Sequence, residues 1–239
     1  DVKNFQRCVF YSHYFYTLLL SFLWMLMHVL TDLIIVAVLV LIGTAAISTV
    51  ALAHKPLFED RDTTGLEDAI LIPDPDVSRA VYGFLDSESD VDYYYFDIHQ
   101  PLRLYTSLLV PKNDVYAEFR PVYVIIGPGI DGMPEGLPFN VPDGMGAMVI
   151  ESPDGDREEF YEPFTATTYY RGVPKHTPVS VRGRYYVAVY DRDGKMGDYV
   201  LAVGEKEQFG LSDLPGVIAA VMRIRSGGVD HSQMVSREE

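Results

Sequence analysis

Acidic side chains gather in two short stretches of this sequence, and either stretch could hold a metal ion. They are Asp86, Glu88, Asp90 and Asp92, before a strand-like run, and Asp191, Asp193 and Asp198, in and around DRDGKMGD. Calcium takes about six to eight oxygen ligands, so each stretch predicts a Ca²⁺ site. The second begins as Asp-x-Asp-Gly but lacks the third acidic position and the distal Glu of an EF-hand loop. Because β-turns also prefer Asp and Gly, solvated turn carboxylates are the alternative.

Histidine offers a different metal chemistry. If the chain is cleaved after Ala53, the α-amine and imidazole of His54 can chelate copper, with His99 or His176 as a third nitrogen. A surface histidine in a flexible leader is the alternative interpretation.

Two common catalytic motifs are absent from the sequence. It contains neither a Gly-x-Ser-x-Gly elbow nor a His-Glu-x-x-His pair. A glycan-active hydrolase could still place two carboxylates across a cleft, but no pair is singled out by its spacing. We therefore expect no enzymatic activity and keep the hydrolase as an alternative.

Tyrosine is the most frequent aromatic residue, with 17 copies that include YYY at 93–95 and YY at 169–170 and 185–186. Neighbouring positions in a strand point to opposite faces, so these rings cannot all share one core. Tyr94, Tyr170 and Tyr186 are the candidates for ligand contact. The alternative is that tyrosine simply suits strands.

The charge balance excludes some partners. Acidic residues outnumber basic ones 34 to 19, and the net charge is −15. Nucleic acids and anionic lipid head groups both require clustered Lys and Arg, so we expect neither as a partner.

The first fifty residues determine the predicted location. Between Tyr14 and Ala53 only Asp32 is charged, and the run 33–53 is long enough for a membrane-spanning helix. The run ends in Ala-Leu-Ala, which is typical of a signal-peptidase site. Residues 1–53 are therefore a signal peptide or a transmembrane anchor, in contact with the membrane through residues 15–53 if uncleaved.

Both interpretations export the rest of the chain. Lys3 and Arg7 precede the apolar run and acidic residues follow it, an orientation that places the C-terminal part outside the cytoplasm. A helical hairpin broken at Thr31-Asp32 would return that part to the cytoplasm. The predicted location is a membrane-anchored extracytoplasmic domain or a secreted protein. The only cysteine, Cys8, precedes the run, so no disulfide is possible beyond it.

The exported part is predicted to be all-β. After a linker at 54–66, short β-rich runs separated by Gly and Pro predict an antiparallel, jelly-roll-like β-sandwich over 67–210. A short helix near the C-terminus within 211–239, packed through Leu214, Val217, Ile218 and Val221, precedes a disordered tail. The segment 130–146, rich in Gly and Pro, is either a mobile functional loop or a wide connection between sheets.

The runs 184–190 and 198–204 are predicted to form a β-hairpin. Each alternates in period two, which places Tyr185, Val187 and Val189 on one face. The Asp-Gly in the connection 191–197 favours a tight turn.

These runs resemble the pre-peptidase C-terminal type of β-sandwich across roughly residues 78–205, apart from 130–165. The matching positions are Asp90, Asp92, Tyr93, Tyr94, Phe96, Gly183, Tyr185, Tyr186, Val189, Tyr190, Gly197, Tyr199 and Leu201. The resemblance implies an accessory module of secreted bacterial and archaeal proteins, often hydrolases. We expect the module to follow a membrane segment with no catalytic domain attached, which argues against a protease-related role.

The sequence thus predicts an exported or membrane-anchored, non-enzymatic module that binds a protein or a glycan. It needs no cofactor, with Ca²⁺ as a possible addition. The first alternative is an exported metal-binding protein, and the second is a glycan-active hydrolase.

Overall fold

The computed structural model describes residues 20–41, 54–153, 155–163, 165–208 and 210–237. The chain divides into two compact units, 1–51 and 52–239. In the first unit one helix is described, and in the second a β-sandwich.

The helix of the first unit, α1, covers Leu20–Leu41. Its 22 residues rise about 33 Å, enough to cross the apolar part of a bilayer of about 30 Å. It continues through Thr31, whose hydroxyl donates to the Met27 carbonyl at 2.8 Å, so the alternative of a hairpin broken there is wrong. Trp24 packs edge-on against His28 in this helix. The helix suits a signal sequence or an anchor equally, and residues 51–53 lie outside the described ranges.

The sandwich consists mainly of short strands. They are β1 Lys55–Phe58, β2 Ile70–Leu71, β3 Arg79–Leu85, β4 Asp92–Ile98, β5 Leu102–Pro111, β6 Val122–Gly127, β7 Gly146–Ile150, β8 Glu158–Glu162, β9 Thr167–Arg171, β10 Lys175–Val179, β11 Gly183–Tyr190 and β12 Gly197–Val203. Helices α2, Leu214–Arg225, and α3, Ser232–Val235, follow. Among the described residues, 3₁₀ turns occur at Leu66–Asp68, Asp114–Tyr116 and Leu211–Asp213.

Two sheets pack face to face. The seven-stranded sheet has the order β1-β3-β12-β5-β9-β8, with β10 also paired to β5, and the five-stranded sheet has the order β2-β4-β11-β6-β7. The predicted β-sandwich is confirmed. Its pairing is not purely antiparallel, because the edge strands β1 and β2 run parallel to β3 and β4.

The predicted hairpin is wrong. Strand β11 pairs with β4 and β6 in the five-stranded sheet, whereas β12 pairs with β3 and β5 in the seven-stranded sheet. The connection 191–197 is therefore a crossover between the sheets. The predicted alternation is nevertheless correct, since Tyr185, Val187 and Val189 lie in the core between the sheets. Consecutive strands here face each other across the core.

The core is built from the inner faces of both sheets. Tyr94 and Phe96 of β4 and Tyr199 and Leu201 of β12 are almost completely buried there. Burial of apolar surface contributes roughly 25 cal/mol per Å², so this layer supplies most of the stability that positions the surface sites.

Both predicted flanks of the sandwich are more ordered than expected. The predicted linker contains β1, and the Thr63 hydroxyl accepts the Tyr93 backbone N–H at 2.8 Å. Backbone hydrogen bonding thus ties the linker to the sandwich. At the other end, the predicted disordered tail contains α3, whose Val235 reaches the core.

Helix α2 buries a face slightly rotated from the predicted one. Val217 is buried as predicted, but its buried neighbours are Ala220 and Ile224. Ile218 is 52% exposed. Only one narrow stripe of the helix therefore packs on the sandwich.

The segment 130–146 covers the outer face of the five-stranded sheet. Phe139 packs edge-on against Tyr93 and Tyr190, with ring centroids 5.7 and 6.2 Å apart. Leu137 and Met145 add to the same layer. The segment is thus a structural connection that supplies this sheet with a second apolar layer.

Candidate functional site

Five acidic side chains gather where the two sheets meet at one edge. We call Glu59, Asp62, Asp86, Asp90 and Asp92 the acidic cluster. Glu59 directly follows β1 of one sheet, and Asp92 begins β4 of the other. The cluster therefore bridges both sheets.

Hydrogen bonds hold one oxygen of each central carboxyl group. Asp92 Oδ2 accepts the Tyr199 hydroxyl at 2.6 Å, and Tyr199 is 2.7 Å from the Tyr94 hydroxyl. Glu59 Oε2 accepts the Phe84 backbone N–H at 3.2 Å. The second oxygens, Asp92 Oδ1 and Glu59 Oε1, are buried without a hydrogen-bond partner.

This arrangement disfavours two bare negative charges. Burial raises the pKa of Asp92 far above its usual range, and the neighbouring Glu59 carboxyl group raises it further. Burial likewise raises the pKa of Glu59. An uncompensated buried charge costs several kcal/mol. The pair therefore requires a proton or a cation.

The cluster has the composition of a cation site. Oxygens of Glu59, Asp62 and Asp92 lie within 4.8 Å of one another, as do oxygens of Asp62, Asp86 and Asp90. A set made only of carboxylate oxygens suits a hard ion such as Ca²⁺. Asp62 is common to both groups, so it could join them into one centre.

The sequence pointed to only part of this cluster. Asp86, Asp90 and Asp92 were among the predicted calcium residues, whereas Glu88 belongs to neither metal-ligand group. Glu59 and Asp62 were missed because they lie in the predicted linker. Their nearness to Asp92 arises from the pairing of β1 with β3, which a four-residue strand hardly signals.

The predicted carboxylates of the crossover 191–197 are used by the protein itself. Asp191 Oδ1 accepts the backbone N–H groups of Asp193 and Lys195 at 2.9 and 3.1 Å, and its Oδ2 accepts that of Arg120 at 3.1 Å. The Asp193 side chain is exposed. In the described residues, none of these carboxylates belongs to a metal-ligand group.

Asp198, at the start of β12, is 4% exposed and joins three elements. Its Oδ2 accepts the Tyr116 hydroxyl at 2.6 Å and the His231 backbone N–H at 2.8 Å. Its Oδ1 lies 2.6 Å from His231 Nδ1, and this bond raises the pKa of His231. A calcium role for Asp198 would require breaking all of these bonds.

His54 is placed away from the acidic cluster. Its Nδ1 bonds to the Ser78 hydroxyl, and burial lowers the pKa of the imidazole. His176 Nε2 lies 3.0 Å from Glu205, and His99 is exposed. Within the described ranges no histidine belongs to a metal-ligand group, so a copper site at His54 stays a prediction.

The three candidate tyrosines lie apart. Tyr94 is completely buried in the core, so it cannot contact an external ligand, and this corrects the prediction. Tyr170 is covered by Arg157, whose guanidinium lies 3.7 Å from the ring centroid. Tyr186 packs near Tyr95, and both lie on the five-stranded sheet. These residues do not form one site.

A large cavity lies against the outer face of the seven-stranded sheet. It holds about 620 Å³ between that sheet and the segment that follows α2. We call it the outer cavity. Its walls are aromatic and polar, and they include Tyr82, Phe84, Lys112, Asn113, Arg223 and His231. Glu59 also lines the outer cavity, so the acidic cluster adjoins it.

Of the comparisons with known proteins, only that with solved structures gives matches. No family model matches the sequence. No curated protein matches it either. The pre-peptidase C-terminal domain of a Bacillus anthracis collagenase is 14% identical, with a TM-score of 0.32, and the match covers 58% of this chain and 97% of that domain.

A periplasmic inhibitor of g-type lysozyme from Aeromonas hydrophila is 11% identical, with a TM-score of 0.29. This match covers 64% of this chain and 98% of the inhibitor.

Proposed function

We propose that the chain is an exported, non-enzymatic β-sandwich module, anchored by α1 or released, that binds a protein or glycan partner. The outer cavity carries this proposal. Its volume of about 620 Å³ falls in the range of roughly 300–1,000 Å³ that is typical of ligand sites. Aromatic rings beside polar groups offer both apolar contact and hydrogen bonds to such a partner.

The bonding of the cavity carboxylates supports a binding role over hydrolysis. A glycosidase of the common type needs two carboxyl groups free to face the scissile bond. Asp198 is saturated by Tyr116 and His231, and Asp230 accepts the Ser232 backbone N–H at 3.1 Å. Glu59 directs one oxygen to the Phe84 backbone and has the other buried.

A matched pair of variants tests this role. Thr167 lines the outer cavity, whereas the adjacent Thr168 of β9 does not. The full chain in mild detergent is applied to an array of glycans and of secreted proteins, beside the variants Thr167→Tyr and Thr168→Tyr. We expect at least one ligand that Thr167→Tyr loses and Thr168→Tyr retains.

Equal binding by both variants would place the partner elsewhere on the molecule. Turnover of a bound glycan would instead favour the hydrolase. The signal retained on the array reports binding by each variant, and product analysis of the same array reports turnover of a glycan.

A second candidate function, calcium binding, rests on Asp92 Oδ1 and Glu59 Oε1. These buried oxygens have no hydrogen-bond partner and belong to one group of carboxylates within reach of a single ion. After dialysis against EDTA, we expect added Ca²⁺ to bind in titration calorimetry and to raise the melting temperature. A metal-free protein whose melting temperature ignores Ca²⁺ would exclude this candidate.

A further inference from the structure

Several side chains with N–H donor groups line the outer cavity. They are Lys112, Asn113, Arg223 and His231, whose side chains can donate several hydrogen bonds each or, for His231, two when protonated. Lys112 Nζ also lies 2.7 Å from Glu159. The Asn113 side-chain oxygen accepts the Val115 N–H at 3.2 Å, which leaves its amide NH₂ as a donor.

The same side chains are held in place before any ligand arrives. The Arg223 guanidinium lies 4.1 Å from the Phe58 ring centroid and 2.6 Å from Asp60. The His231 ring stacks on Phe84 with centroids 4.2 Å apart. Donors fixed in this way lose little conformational freedom when they bind, which favours affinity.

Three carboxylates also line the cavity, and protein groups donate to each of them, Asp230 Oδ1 accepting the Ser232 backbone N–H at 3.1 Å. Asp198 accepts hydrogen bonds from Tyr116 and His231, and Glu59 Oε2 accepts the Phe84 backbone N–H while its Oε1 is buried. The hydrogen bond to Asp198 also raises the pKa of His231, which favours its charged form. The walls thus combine three carboxylates with the cationic groups of Lys112, Arg223 and His231, so cationic donors face a ligand even in a chain of net charge −15.

We propose that the outer cavity binds an acidic saccharide, with its carboxylate held by Arg223, Lys112, Asn113 and His231. A carboxylate accepts several hydrogen bonds from such donors, and Arg binds it with particular strength. The sugar body then lies against the aromatic wall of Tyr82 and Phe84. This inference rests on the proposed binding function and specifies its ligand class.

The molecule offers a closely matched control. Arg184 on the five-stranded sheet lies 4.0 Å from the Tyr95 ring centroid and 2.9 Å from Asp97. It therefore repeats the stacked and paired geometry of Arg223, but it lies outside the lining of the outer cavity. Arg184→Gln controls for the general effect of removing one such cation.

The test titrates the full chain in detergent with D-glucuronate, D-glucose and inorganic sulfate. We expect glucuronate to bind, glucose not to bind, and sulfate to bind more weakly than glucuronate. Arg223→Gln should weaken glucuronate binding about tenfold or more, because a hydrogen bond to a charged group is lost. Arg184→Gln should leave it unchanged. If Arg223→Gln fails to fold, the exposed Lys112→Gln takes its place, with severalfold weaker binding expected.

Other outcomes overturn the inference in distinct ways. Sulfate as tight as glucuronate would mean that only a bare anion is recognised. Glucuronate binding unaffected in both Arg223→Gln and Lys112→Gln would place it outside the cavity. If neither anion binds, the saccharide inference fails, while a neutral glycan or a protein bound in the Thr167→Tyr experiment would leave the proposed function intact.

Discussion

Two acidic regions of the sandwich differ in whether protein groups donate hydrogen bonds to their carboxylate oxygens. In the crossover 191–197 and at Asp198, protein donors occupy the carboxylates. In the acidic cluster, Asp92 Oδ1 and Glu59 Oε1 are buried and unpartnered. Asp-rich turns satisfy their own backbone, whereas a cation site needs carboxylates that leave oxygens unused, here from distant parts of the chain.

The largest effect is expected at Asp198. Asp198→Ala leaves the Tyr116 hydroxyl and two His231 groups without an acceptor, so it should lower the free energy of unfolding by about 3 kcal/mol. Urea unfolding followed by circular dichroism measures this. Asp193→Ala, at an exposed turn position, should stay within about 0.5 kcal/mol. Equal losses of unfolding free energy in the two variants would mean that the hydrogen bonds of Asp198 do not stabilise the fold.

The next effect concerns the acidic cluster. Asp92→Asn replaces a buried carboxyl group, whose pKa is raised far above its usual range, with a neutral amide of similar shape. The metal-free protein should therefore be no less stable than the wild type. The variant should, however, lose the stabilisation by Ca²⁺, which amounts to about 2.7 kcal/mol at a concentration of 100 Kd.

Asp97→Asn is the control for this prediction, because Asp97 lies on the same strand but pairs with Arg184 at the surface. Thermal unfolding with EDTA gives the stability of the metal-free protein, and unfolding with Ca²⁺ gives the stabilisation by the ion. A calcium response retained in Asp92→Asn would remove the proposed ion from this cluster.

A smaller loss is expected in the crossover. Asp191→Ala leaves three backbone N–H groups, those of Arg120, Asp193 and Lys195, without their acceptor. We expect a loss of about 1–2 kcal/mol in urea unfolding. Asp191→Asn keeps one side-chain oxygen and should recover part of it. If Ca²⁺ stabilised the wild type but not Asp191→Ala, the ion would bind at the crossover, contrary to the comparison of the two regions.

The smallest effect is a pH dependence at His231. The raised pKa of this residue means that its bond with Asp198 stabilises the fold below the ordinary value of 6.5. That contribution is lost as the pH rises through the higher folded-state pKa. Because His231 is partly exposed, we expect about 1 kcal/mol or less. His231→Gln should flatten the curve of unfolding free energy between about pH 5 and pH 9.

Strand positions could be predicted from the sequence, but strand partners could not. Period-two alternation identifies the side chains that face the core, and it is correct for Tyr185 and Tyr199. Both sheets share that core, so alternation cannot distinguish paired neighbours from strands that face each other. The crossover 191–197 was mistaken for a hairpin turn for this reason.

The candidate sites were predictable only where their residues are close in sequence. Asp90 and Asp92 stood out as a group, but Glu59 reaches them through a parallel edge strand that includes Pro56. The outer cavity was not predicted at all. It is built from strands, turns and the segment after α2, and no local pattern marks their meeting.

The position of Trp24 gives the chain two separate optical signals. It is the only tryptophan, and it lies in α1, while the sandwich contains tyrosines such as Tyr199, bonded to Asp92. Excitation at the red edge of the absorption band selects indole emission and reports on the surroundings of the helix. Tyrosine emission, which neighbouring carboxylates quench, follows the sandwich. One cuvette can therefore follow the helix and the sandwich independently.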